Sequence, residues 1–280
     1  MASLPGYDYE FMLVTDPRPG SAVAHVQINR PGKLNAFSRA VWLEFGSVFR
    51  RVSGDADVRA VVVSGVGERA FTAGLDVGEG FVVEGDGDAA RRAKGLRGRI
   101  GEFQECVSEM ERCEKPVICV LHAISLGLAI DIACCADIRL AAKDTRLAVK
   151  EVDIGLAADV GTLARLPKIV GSTSWVKDVC LSARDFSAQE ALEVGFVSQV
   201  HDDKDKTVRA ALDMAVRIAG KSPVAVQGTK ELLNYGRDNS TAAALRYTSV
   251  WNSVALQAAD VPAALASVFS PDRKPTFEKL

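Results

Sequence analysis

Short strand-like runs that give way to helical patterns constrain this chain more than any other feature. Ala60-Val61-Val62-Val63-Ser64-Gly65 and Val117-Ile118-Cys119-Val120-Leu121 lack the polar/apolar alternation of a strand wetted on one face, and Asp137-Ile138-Arg139-Leu140-Ala141 reads as a further strand. Such continuous runs suit strands buried on both sides, as in a parallel sheet covered by helices. Helical patterns separate them. Ser38 caps a stretch to Arg51 that puts Val41, Trp42, Phe45, Val48 and Phe49 on one face, Phe103–Cys113 is amphipathic, and Ser125–Ala129 opens a helix through Asp131 to Cys135. The repeated strand, glycine turn and helix predict an α/β domain whose ligands sit at loops and helix N-termini.

The ends of the chain read differently. Ala22–Asn29 alternates like a half-buried strand, Arg30-Pro31-Gly32-Lys33 is a turn, and Glu79–Gly101 is glycine- and arginine-rich. That polar stretch is expected to be a mobile loop or a short solvated helix covering a site. Thr162–Leu166 starts another helix, and Ser187-Ala188-Gln189-Glu190 has the form of a capping box. After Lys206 no strand pattern remains; helices are expected over 206–220, 223–236 and 240–268. The chain therefore divides into a core domain over 1–205, a helical C-terminal region over 206–270 and a loose tail over 271–280.

Charge and composition narrow the function classes. A net charge of −2 over 280 residues supplies no basic field for nucleic acid. The longest apolar stretch, Val117–Ala136, is broken by His122, Ser125 and Asp131, so it reads as a buried strand and helix rather than a membrane span. The six cysteines form no C-x-x-C pair and suit reduced core positions of an intracellular protein, and with three histidines no metal site is expected. The N-terminus has neither a secretory pattern nor the acid-poor character of a transit peptide.

The chemistry points to Lys150-Glu151-Val152-Asp153-Ile154-Gly155-Leu156-Ala157-Ala158-Asp159-Val160-Gly161. Its carboxylates stand among apolar and small residues. If buried without partners, their pKa values rise toward neutrality, and paired acids of that kind move protons on and off carbon. On the residues alone, a loop with acids at a rim or a helix cap is an equally open reading.

Several motifs resemble the enoyl-CoA hydratase/isomerase (crotonase) superfamily over nearly the whole chain: Arg30-Pro31 with Asn35-Ala36, Phe71-Thr72-Ala73-Gly74-Leu75-Asp76, and Ala136-Asp137-Ile138-Arg139. The acid-bearing stretch continued through Thr162, and Ser222-Pro223-Val224-Ala225-Val226-Gln227 with Thr229-Lys230, resemble the Δ3,5-Δ2,4-dienoyl-CoA isomerases within it. The resemblance implies a crotonase (ClpP-like) fold of repeated ββα units, a helical C-terminal trimerisation region, and a homo-oligomer that is a trimer or a hexamer. It implies isomerisation of 3,5-dienoyl-CoA to 2,4-dienoyl-CoA in fatty acid β-oxidation, with no cofactor beyond the coenzyme A of the substrate itself. Residue by residue, Glu151 matches the acid at C2, Asp159 the acid at C6 and Asp131 a third carboxylate that tunes them. The backbone N–H groups of Leu75 and Leu128 match the oxyanion donors. Lys33, Ala36, Ala73, Gly74, Asp76 and Gly127 fall at positions that bind substrate and CoA. Lys33 and Lys230 are candidates for the CoA phosphates, with a solvated lysine as the plain reading of both. Asp153 reads as a salt bridge, Asp137 and Arg139 as structural partners, and His122 as packing beneath the turn.

The chain departs from the family's pattern at the turn, where His-Gly and three consecutive glycines are usual and His122-Ala123 and Gly127-Leu128-Ala129 stand here. A Cβ at 128 and 129 narrows the space at the helix end, and Leu128 donates its N–H only with a negative φ. The departure keeps two alternatives open: an enoyl-CoA hydratase or other crotonase-type enzyme with a reshaped pocket, and a non-catalytic acyl-CoA-binding scaffold. Asp159 speaks against a hydratase, which typically has glycine there and glutamate in place of Asp131; retention of all three acids speaks against a scaffold. The C-terminal Glu278-Lys279-Leu280 resembles a weakened peroxisomal address, so peroxisome is expected, with mitochondrion as the alternative.

Overall fold

The fold was analysed in a computed structural model that describes residues 4–79, 87–268 and 275–280. Its strands are β1 (Met12–Thr15), β2 (Val23–Ile28), β3 (Ala60–Gly65), β4 (Ala70–Thr72), β5 (Val117–Leu121), β6 (Ile124–Leu126), β7 (Ile138–Ala142), β8 (Arg146–Ala148), β9 (Phe186–Ser187) and β10 (Gln199–His201). Its helices are α1 (Arg39–Ser53), α2 (Ala89–Arg112), α3 (Leu128–Cys135), α4 (Thr162–Ile169), α5 (Thr173–Ser182), α6 (Ala188–Glu193), α7 (Lys204–Ala219), α8 (Pro223–Asp238), α9 (Thr241–Ala255) and α10 (Asp260–Val268).

The three apolar runs become neighbours. The larger sheet has the order β1-β2-β3-β5-β7-β10, parallel throughout except for the antiparallel β1–β2 pair. Each of β3, β5 and β7 is followed at once by a short strand, and these short strands pair with one another as β4-β6-β8, closed by β9. A long strand, a short strand in the second sheet and a helix thus form the repeating ββα unit. The short strands carry only three residues each, too few to show periodicity in the sequence.

Both faces of the larger sheet are buried, as the unbroken runs require. Val61, Val63, Cys119, Leu121 and Ala141 face the main core with α1, α2 and α3. Their alternates Val62, Ile118, Val120 and Leu140 face Ala211, Leu212, Ala215 and Ala219 of α7. All six cysteines are buried and unpaired. No helix among the described residues is long and apolar enough to cross a membrane.

Three segments differ from the sequence expectation. The expected helix at Phe103–Cys113 begins instead at Ala89, capped by Asp88, which accepts the Arg91 N–H. Residues 89–99 are exposed throughout, so no apolar stripe announces this half of α2; residues 80–86 of the same polar stretch lie outside the described residues. The helix expected over 240–268 is two helices, α9 and α10, with a turn at 256–259. At the C-terminus, where a loose tail was expected, residues 275–280 lie against the body. Arg59 donates to the carbonyls of Phe277 (2.6 Å) and Glu278 (2.9 Å), and Lys279 pairs with Asp57; residues 271–274 lie outside the described residues.

Candidate active site

The first wall is the 30–37 segment stitched to 70–76. Asn35, buried, accepts the Arg30 N–H at 2.9 Å and donates to the carbonyls of Val66 (3.0 Å) and Ala70 (2.9 Å). Leu34 and Asn35 both take left-handed backbone, φ 51° and 56°, which folds the turn back onto the strand end. Ala73 N–H reaches Leu34 O, Phe37 N–H reaches Gly74 O, and Asp76 N–H reaches Phe37 O, each at 2.9 Å. Arg30 locks the end with a 2.6 Å bond to Asp76, while Gly78 N–H occupies the other carboxylate oxygen at 3.2 Å. Asp76, predicted to bind substrate or CoA, is therefore a clasp for this wall; its hydrogen bond from Arg30 holds its carboxyl below the usual range. Ala36 is buried, Ala73 half-buried and Lys33 exposed on the rim.

Gly74 sets how closely the second wall approaches. Its φ is 99°, and a Cβ there would stand 3.0 Å from Leu126 O and 3.6 Å from Leu128 N. Glycine thus brings the Leu75 backbone up to the turn Leu126-Gly127-Leu128 that opens α3. Gly127 supplies the turn with φ 55°, whereas Leu128 is not among the residues with positive φ, as its N–H needs in order to point out of the helix start. The N–H groups of Leu75 and Leu128 have no acceptor among the described residues. Two unmet donors, one of them at a helix N-terminus, favour a developing negative charge. Ala123, where the family has glycine, takes φ 44°.

The carboxylates gather beside this pair. A Cβ on Gly127 would lie 3.4 Å from Glu151 Oε1, so the Glu151 carboxylate sits against the turn. Its other oxygen, Oε2, is buried without a partner. Burial raises the Glu151 pKa, and the charge of Asp159 adds to that. Lys150, next in sequence, points elsewhere: it bonds Ala183 O at 2.7 Å and pairs with Asp153 and Asp185 at 3.3 Å each. Asp153 is therefore a surface salt bridge, as its sequence position suggested.

Asp131 stands one turn into α3, only 1 % exposed. Its Oδ1 accepts the Thr162 N–H at 2.6 Å, so the first turn of α4 meets it end-on. Burial, followed by the charge of Glu151, pushes its pKa up to about 7 against the pull of the Thr162 bonds. Asp159 lies at the exposed edge; partial burial raises its pKa too. Its backbone carbonyl accepts from Gln104 of α2, and it lines a cleft of about 440 Å³ with Ser108, Gly161 and Arg165. None of the three acids has a cationic partner among the described residues' ion pairs.

Other predicted positions fall outside this group. Lys230, a candidate for CoA phosphates or for solvent, is buried, with Nζ 2.8 Å from Asp137 and 3.1 Å from Lys115 O. Arg139 closes the end of α3 by donating to Ala136 O and, with its Nε, to Phe196 O. His122 bonds Gly67 O at 3.1 Å beneath the turn. Among the described residues no group of three His, Cys, Asp or Glu side chains is placed to hold a metal ion. Sequence reasoning missed Gln104 and the Thr162 N–H. The second had a signal, since Thr162 was already the expected helix start, and helix starts carry free N–H groups.

Comparison with known proteins gives this geometry its relatives. The family model for enoyl-CoA hydratase/isomerase matches residues 18–279. The chain is 44 % identical to the human mitochondrial Δ(3,5)-Δ(2,4)-dienoyl-CoA isomerase, over 100 % of this chain and 86 % of that one. It is 35 % identical to the peroxisomal Δ(3,5)-Δ(2,4)-dienoyl-CoA isomerase of Arabidopsis thaliana, over 97 % of this chain and 98 % of that one. Among solved structures it is similar to the enoyl-CoA hydratase of Bacillus anthracis, with TM-score 0.84 and 25 % identity over 96 % of this chain and 99 % of that one.

Proposed function

The chain belongs to the enoyl-CoA hydratase/isomerase family, and from that premise we propose that it is a dienoyl-CoA isomerase converting 3,5-dienoyl-CoA to 2,4-dienoyl-CoA. The observation that carries the reading is the convergence of Glu151, Asp131 and Asp159, all with raised pKa values and without cations, beside two unmet N–H donors.

The thioester oxygen lies between the Leu75 and Leu128 N–H groups. Ionised Glu151, against the turn, takes a proton from C2. The C2–H electron pair delocalises through the diene onto the thioester oxygen, where each donor is worth roughly 3–4 kcal/mol. Protonated Asp159 gives its proton to C6; the double bonds shift to C2=C3 and C4=C5, and the electron pair leaves the oxygen. One acid must begin charged and the other neutral. Mutual repulsion in a poorly solvated site provides that division, with apparent pKa values that belong to the group rather than to one residue. Asp131, buried behind Glu151, adjusts the pair and does not touch the diene. Lys33, exposed, and Ala73, half-buried, lie along the edge available to CoA with Ala36 buried beside them, and no cofactor enters the reaction.

The apolar side chains exposed on α8–α10, among them Leu233, Leu245, Val254 and Leu265, support a homo-oligomer, a trimer or a dimer of trimers. Sedimentation at equilibrium tests this; a monomer at micromolar concentration refutes it. The ending Glu278-Lys279-Leu280 supports a peroxisomal address, and the mitochondrial human relative supports the alternative. Import of a tagged protein lacking those residues separates the two.

The deciding experiment mixes the protein with 3,5-dienoyl-CoA and follows the absorbance of the conjugated dienoyl thioester. A rise that is lost in Asp159→Asn supports the isomerase. Hydration of 2-enoyl-CoA with no diene conversion would give the hydratase, and binding with neither reaction would give the scaffold.

A further inference from the structure

We propose that Arg165 is a positioning residue for the acid group, and that Glu111 and Arg237 make it the link between the C-terminal helices and Asp131. The inference rests on the isomerase reading only in its kinetic arm.

Arg165 lies in α4, one turn on from Gly161, in the wall of the cleft that Asp159 also lines. Its Nε and Nη2 donate to Glu111 Oε2 at 2.9 and 2.8 Å, and Nη2 also donates to Ser108 Oγ at 2.9 Å. This holds the planar guanidinium against Gly161, where it fills the space that any side chain at 161 would need. The next residue is Thr162, fully buried, whose N–H holds Asp131 at 2.6 Å; two residues earlier is Asp159. A single clamped side chain therefore fixes the peptide that holds one acid and the loop that carries another.

The clamp has a second input. Glu111 uses its remaining oxygen, Oε1, to accept from Arg237 of α8 at 2.6 Å. Arg237 also pairs with Asp238, which Lys168 of α4 reaches as well. The line α8, Glu111, Arg165, Gly161-Thr162 and Asp131 is a set of direct contacts. Only side-chain bonds and one helix start intervene, so a displacement of α8 is passed on rather than absorbed.

The test compares the wild-type protein with Arg165→Met, Arg165→Lys and Glu111→Gln. Two readouts are used: kcat and KM for 3,5-dienoyl-CoA across pH, and titration of the Asp131 carboxyl by 13C NMR, identified by its loss in Asp131→Asn. Groups facing Asp131 are Glu151, Asp159 and the thiols of Cys134, Cys135 and Cys180. These remain in every variant; loss of the Arg165 cation by itself would raise the Asp131 pKa and loss of the Glu111 charge would lower it, so a rise in both Arg165→Met and Glu111→Gln reports the lost positioning. Arg165→Met is expected to lose kcat about tenfold to a hundredfold with KM little changed, the scale of a misplaced catalytic group. Its Asp131 midpoint should rise, because the carboxylate loses the Thr162 N–H. Arg165→Lys should recover part of both, and Glu111→Gln should move both in the direction of Arg165→Met. A folded Arg165→Met with wild-type kcat and an unmoved Asp131 titration overturns the proposal; if that variant fails to fold, the same null result in Glu111→Gln and Arg165→Lys overturns it. If the wild-type protein does not isomerise dienoyl-CoA, the function falls and the Asp131 titration still decides the positioning.

Discussion

Asp131 and Glu111 are both carboxylates held inside this protein, on neighbouring helices, and they titrate in opposite directions. Asp131 has one backbone N–H and two acidic neighbours, and burial pushes its pKa up to about 7. Burial also pushes Glu111 up, but the hydrogen bonds and charges of Arg165 and Arg237 outweigh it and hold the carboxyl below its usual range. Burial alone therefore does not mark a site. The mark is burial left uncompensated, and the chain places its arginines one helix away from where they would silence the acids.

That contrast can be broken at several points. The largest effect is expected at the uncompensated end: Glu151→Gln, which cannot accept the C2 proton, should lower kcat about a thousandfold with the protein folded. Turnover within tenfold of wild type would remove Glu151 from that role. At the compensated end, Glu111→Gln leaves two arginines without their shared partner. It should cost about 2 kcal/mol in urea unfolding at pH 7, short of a fully buried pair because the side chains keep some solvent. Because the folded pKa of Glu111 is depressed, its contribution is present above the unfolded pKa and lost as pH falls through the folded value. The difference between the two proteins should therefore vanish in acid.

Asp131→Asn should do the reverse. A carboxyl whose folded pKa is raised weakens the fold above its unfolded pKa, with the cost complete once pH exceeds about 7. Asparagine still accepts the Thr162 N–H and carries no charge. It should stabilise the protein by about 2 kcal/mol at pH 8 and by nothing at pH 4, while reducing turnover. Equal melting curves at pH 8 would show that Asp131 is already neutral or well solvated. The smallest effect is at the altered turn. Ala123 has φ 44°, so Ala123→Gly should relieve left-handed strain and gain about 0.5 kcal/mol after the entropy of glycine is counted. A loss of stability would mean that the alanine methyl packs better than the backbone strains.

What the sequence revealed follows from how locally each feature is written. The strands β3 and β5 were legible because two-sided burial makes nearly every position apolar, and β7 because Ile138, Leu140 and Ala141 flank Arg139 in a short run. The strands β4, β6 and β8 were not, because three residues hold no period. The exposed half of α2 was invisible for a different reason: residues 89–99 bury nothing, so no stripe exists to be read. The identities of Glu151, Asp159 and Asp131 came through resemblance to a family; the apolar neighbourhood by itself left a rim or cap open. Lys230 was misjudged because its partner, Asp137, is remote in the chain. The Ser108, Glu111, Arg165 and Arg237 cluster joins three distant helices, and nothing local to any of those residues announces it.

The placement of α7 bears on how the molecule is made. The second face of the larger sheet, from Val23 through Ala60 and Val62 to Ile118 and Leu140, is covered by α7. A nascent chain emerges from the ribosome N-terminus first, so all these strand residues leave before Lys204–Ala219 is available. During that interval the sheet is greasy on a side that nothing yet shields. Synthesis stalled before residue 204 would yield an aggregation-prone fragment, and the short span that follows decides between a sticky intermediate and a sealed domain.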